Sequence, residues 1–140
     1  MRTQIILASA LFVLSNTVVF AKGTSEKLAA APTSFNGHWI KEENPFCQMT
    51  LEQNGNKLKG EYSTSPHKDR TKVQDGNIVG TITKPGHASV TYTSGFANEG
   101  SKGKVDLDLM GGGLKWTLVK APVQDYGEDY SPQSVLMKKK

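Results

Sequence analysis

From Gly37 onward the apolar residues recur at every second position, and no stretch shows the spacing of a helix face. A period of two belongs to strands with one buried and one wet face. Cys47, Met49 and Leu51 alternate with Gln48, Thr50 and Glu52. Leu58, Gly60 and Tyr62 share a face, as do Ile78, Gly80 and Ile82, then Ala88, Val90 and Tyr92. Val105, Leu107 and Leu109 alternate with Lys104, Asp106 and Asp108, and Leu114, Trp116 and Leu118 follow. Trp39 in a short early segment and Val135 and Met137 in a late one complete the pattern. Trp39 and Trp116 read as core.

Turn chemistry separates these runs. Asn54-Gly55 is a strong hairpin signal, because both turn positions favour positive φ. Lys84-Pro85-Gly86 and Gly111-Gly112-Gly113 mark two more turns. The chain is therefore expected to be all-β, with about eight short strands joined as neighbours. Clean alternation gives one apolar face, and an antiparallel meander closed into a small barrel buries it without exposed edges. An open β-sandwich is the alternative. Gly60 and Gly80 sit mid-strand, where glycine weakens pairing unless the strand bends sharply.

The N-terminus has a different character. Arg2 precedes the apolar run Ile5 to Val13, and Val19 and Ala21 place small residues where a signal peptidase reads. Residues 1–21 are expected to be a signal peptide and 22–33 a polar, alanine-rich lead-in. Residues 34–140 are then one β domain. Ser15-Asn16-Thr17 interrupts the apolar run before it reaches the ~20 residues of a membrane span. Cys47 is the one cysteine, so an internal disulfide is impossible. Secretion without a disulfide points to the bacterial periplasm more than to other extracellular settings.

Catalytic signatures are not visible. No serine sits in a nucleophile elbow, and His38, His67 and His87 are scattered without metal-ligand spacing. Asp125, Glu128 and Asp129 form an acidic cluster that reads as a solvated loop. Tyr126 and Tyr130 flank it, and they either anchor an interface or pin the loop to its own barrel. The stretch His67 to Lys72 is a basic loop suited to steering an acidic partner, whereas Asp125 to Asp129 would steer a basic one. The formal charge of +4 is mild, and without Arg2 the excess equals the tail Lys138-Lys139-Lys140. Aromatic and basic residues do not interleave as a nucleic-acid surface requires.

Two resemblances add to this reading. Gly37-His38-Trp39, Met49-Thr50-Leu51-Glu52-Gln53-Asn54-Gly55-Asn56-Lys57-Leu58-Lys59-Gly60-Glu61-Tyr62 and Gly76-Asn77-Ile78-Val79-Gly80-Thr81 together resemble the rhythm of small bacterial lipocalin-like or avidin-like β-barrels. That resemblance implies a fold. Ser94-Gly95-Phe96-Ala97 resembles the Ser-Gly-x-x-Tyr or Ser-Gly-x-Tyr loop of periplasmic lysozyme inhibitors, with Ala97 where one form has its tyrosine. It implies a non-enzymatic inhibitor or immunity protein acting on a cell-wall-degrading enzyme through Ser94, Gly95 and Phe96. Tyr126, Tyr130, Asp125 and Asp129 would form a second contact loop. The alternative is a barrel holding a small apolar ligand, and a third reading is an envelope protein that uses the lysine tail. No cofactor, metal, nucleic acid or membrane span is expected. Intact-mass measurement of exported material should give a chain beginning at Lys22; a mass that includes residues 1–21 would contradict the signal peptide.

Overall fold

The structure is a computed structural model that describes residues 32–98, 100–124 and 129–140. The expected signal peptide and the expected lead-in up to residue 31 lie outside the described residues. Eight strands follow in order: β1 (Gly37–Lys41), β2 (Phe46–Asn54), β3 (Lys57–Ser65), β4 (Gln74–Lys84), β5 (His87–Tyr92), β6 (Gly103–Met110), β7 (Gly113–Lys120) and β8 (Ser134–Lys139). Each pairs antiparallel with its neighbour, and β1 pairs with β8 to close the barrel. The expected meander is therefore the fold, and the open sandwich is not.

The alternation works as the pattern requires. Trp39, Met49, Leu51, Leu58, Tyr62, Ile78, Val90, Tyr92, Leu107, Leu114, Trp116 and Met137 all point inward and are buried. They form one contiguous cluster, with Ile82, Leu109 and Leu118 packed at its margin. Inward glycines sit opposite large partners: Gly60 pairs with Leu51 and Ile78, and Gly76 with Tyr62. A Cβ on Gly76 would run into the Thr93 carbonyl, so the backbone comes closer there than any other residue allows.

A meander sorts its connections to two unequal ends. Tight hairpins at Gly55, Gly86 and Gly112 mark one end. The same end receives the chain at Pro32 and releases it at Lys140. The longer connections, of which residues 42–45, 66–73, 93–98, 100–102, 121–124 and 129–133 are described, leave from the other. Each end is closed by a tryptophan. Trp39 Nε1–H donates to the Phe35 carbonyl (2.9 Å), holding buried Phe35 across the hairpin end. Trp116 Nε1–H donates to the Pro132 carbonyl (2.9 Å), drawing the last loop over the other.

The lysine tail is not simply a solvated end. Lys138 and Lys139 belong to β8, and Lys139 Nζ lies 5.5 Å from the centre of the Trp39 ring. Within this fold Leu107→Ala should cost about 2–5 kcal/mol by chemical denaturation, because the side chain is fully buried. Asp106→Ala, next to it on the outer wall, should cost roughly 0.5 kcal/mol or less.

Candidate functional site

The four loops at the Trp116 end are tied together in two pairs. The β5–β6 and β7–β8 loops form a small antiparallel bridge at Ala97 and Gln124. Asn98 N–H donates to the Val123 carbonyl (2.9 Å), and Val123 N–H donates to Ser101 Oγ (2.7 Å). On the other side, Lys68 N–H donates to Asn44 Oδ1, and the Arg70 guanidinium lies 4.2 Å over the Phe46 ring. These contacts join the β1–β2 and β3–β4 loops.

Beneath them runs a buried polar network. Gln74, at the start of β4, is 1% exposed. Its Nε2 lies within 3.0 Å of three acceptors, Tyr62 Oη, Asp129 Oδ1 and Ser131 Oγ, which share its two hydrogens. Gln74 Oε1 accepts from Tyr130 N–H (3.0 Å). Asp129 Oδ1 also accepts from Ser131 N–H (3.1 Å), and its Oδ2 accepts from the Tyr92 hydroxyl (3.2 Å). Tyr62 donates to the Thr93 carbonyl (2.7 Å). Burial raises both phenol pKa values well above the ordinary tyrosine value, and the Asp129 charge adds to this. Both phenols thus remain protonated donors. Their rings form a trio with Trp116, centroids 5.4–5.6 Å apart, which links the network to the core.

The residues named from the sequence fall into distinct places. Ser94 Oγ accepts from Phe96 N–H (3.2 Å) and shapes its own turn, so it lies in the loop after β5 and not at a strand end. Gly95 is exposed with open space around it. Phe96 is 37% exposed, and its ring meets Tyr130 edge-to-face, centroids 5.7 Å apart at 83°. Two aromatics from separate loops thus meet on one rim, beside exposed Val123. Asp129, read from the sequence as part of a solvated loop, instead directs its carboxylate into the network. Asp125, Tyr126 and Glu128 lie outside the described residues.

Other reactive groups are apart from this rim. Burial pushes the Cys47 thiol up to about 12, so it packs as a protonated, apolar side chain. His38 hydrogen-bonds Thr50 Oγ1 (3.2 Å) and His87 pairs with Asp108, both on the outer wall. Among the described residues no three His, Cys, Asp or Glu side chains converge to hold a metal.

Sequence reasoning missed Gln74 and the cleft that Pro45, Pro66, His67 and Lys72 form with residues 129–132. Only the folded loops bring these residues together, and none belongs to an alternating run. In comparisons with known proteins the chain matches no family model, no curated protein and no solved structure. The network generates a prediction. Asp129→Ala leaves the Tyr92 hydroxyl and the Ser131 N–H short of an acceptor, and should cost about 1–3 kcal/mol in denaturation. An unchanged midpoint would mean that the network does not support the fold.

Proposed function

We infer that this is an exported, non-enzymatic binding protein that docks on a protein partner with its loop end. The supporting observation is the Phe96–Tyr130 pair. Two aromatic rings are held edge-to-face on loops that are hydrogen-bonded together, at the rim of a closed barrel. Aromatic anchors on a rigid frame bring contact area at low entropy cost. The network below holds the backbone of Tyr130, with its N–H on Gln74 and its carbonyl 3.3 Å from Thr64 Oγ1, whose one hydrogen it shares with the Phe46 carbonyl. The ring is left to face outward.

The partner class we propose is a cell-wall-degrading enzyme of the periplasm. This rests on the export signal and on the Ser94-Gly95-Phe96 resemblance. An apolar ligand inside the barrel is less well supported, because buried core side chains occupy the inward positions of the strands.

The test is inhibition of a panel of lysozymes, lytic transglycosylases and peptidoglycan amidases by the exported protein. Phe96→Ala should weaken inhibition about thirtyfold, as loss of an interface anchor does. It should lower the melting temperature by only a few degrees, the share of one half-exposed aromatic pair. Silence across the panel defeats the hydrolase reading. Inhibition undiminished in the variant moves the contact away from this rim.

A further inference from the structure

Beside the aromatic rim lies a cleft of about 380 Å³. Pro45, Pro66 and Pro132 make rigid walls, Tyr130 forms one side, and His67 and Lys72 stand at the mouth. We propose that this cleft receives a carboxylate side chain, a glutamate or aspartate presented by an extended segment of the protein partner. The proposal rests on the protein-binding reading above and names the chemistry of the contact.

Charge comes first. Asp129 is the cleft's own carboxylate, and both of its oxygens are engaged by donors inside the barrel. Lys72 extends over the Tyr130 ring, with Nζ 5.9 Å from the centroid, and does not reach back to Asp129. Among the described residues the ion pairs are Lys59–Glu52 and His87–Asp108, both on the outer wall, so neither Lys72 nor His67 has a carboxylate partner. Lys68 and Arg70 add positive charge to the same loop. Its single acid, Asp69, accepts from Thr71 N–H and caps its own turn (3.2 Å).

Shape narrows the choice. The cleft is near the small end of the range for ligand sites, roughly 300–1,000 Å³. Proline walls suit a short methylene stem, and the cations at the mouth suit its charged end. The hydrogen bond that Lys68 N–H donates to Asn44 and the Arg70–Phe46 stack hold the loop in place before anything binds. Tyr130 belongs to both the cleft and the aromatic rim, so one partner surface reaches both.

The experiment needs no hydrolase. Amide NMR spectra of the isotope-labelled exported protein are followed during titration with the blocked tripeptide acetyl-Gly-Glu-Gly-amide, its Gln twin, or inorganic phosphate. The glutamate peptide should shift amides in 66–72 and 129–132, and bind about tenfold more tightly than the glutamine twin, the size of one charge-assisted hydrogen bond. Lys72→Gln should bring the two peptides to equal affinity, while Lys59→Gln, near the Gly55 hairpin at the other end of the barrel, should leave the difference intact. Equal binding of the twins to the unaltered protein overturns the proposal. So does a response to phosphate with none to the glutamate peptide, or a difference that survives Lys72→Gln. A failure here leaves the Phe96 inhibition result standing, and a silent enzyme panel leaves this titration standing.

Discussion

Closure of β1 on β8 is the constraint on which the remaining structure depends. The seam is short: Trp39 pairs with Lys139 and Ile40 with Lys138. Lys140 N–H adds a hydrogen bond to the His38 carbonyl (2.9 Å). Without it the meander would expose two strand edges and open the apolar face to water. With it, every inward side chain meets others across a closed interior. The terminal lysines are therefore part of the wall that completes the barrel. Closure also separates two ends with different duties, one sealed by Phe35 and tight turns, the other carrying every long loop.

The sequence revealed the wall and not the lid. Strand residues such as Val105, Leu107 and Leu109 repeat at the spacing that burial demands, so their role is local and legible. Strand ends were less so. β4 begins at Gln74, ahead of the alternating Ile78, Gly80 and Ile82, because Ser63 and Thr64 pair with Asp75 and Gln74. β5 stops at Tyr92, the last of its alternating residues, and the Thr93 carbonyl beyond it accepts from the Tyr62 hydroxyl. The mid-strand glycines Gly60 and Gly80 were expected where the strands bend, and the structure shows neighbouring backbone, the Thr50 and Ser89 carbonyls, where a Cβ would stand.

The lid is written in long-range contacts that have no period. Gln74 and Asp129 are 55 residues apart, and Tyr92 and Asp129 are 37. Nothing near Gln74 in the chain indicates that its amide will be buried. Phe96 and Tyr130 were each singled out as loop aromatics, and only folding brings them edge-to-face. For Asp129 the composition of its loop misled: acidic neighbours suggest water, while the three donors it meets come from β4, β5 and its own turn. A buried polar network with its partners in place specifies one arrangement more sharply than apolar packing does.

In the proposed docking role, that network would separate stability from recognition within a single residue. Tyr130 is fastened through its backbone, to Gln74 on one side and Thr64 on the other, while its ring remains at the surface. Changes to the ring can therefore alter binding without loosening the loop, whereas changes to Gln74 or Asp129 alter both. A residue held this way would need little further ordering to act in the proposed docking. Residues 66–72 are held by different means, through Asn44 and Phe46, yet they border the same cleft. Two independent fastenings thus converge on one mouth, and its cationic and aromatic sides keep a fixed spacing. A fixed spacing is what lets a surface select a partner by the separation of its charge from its apolar contact, and not by charge alone.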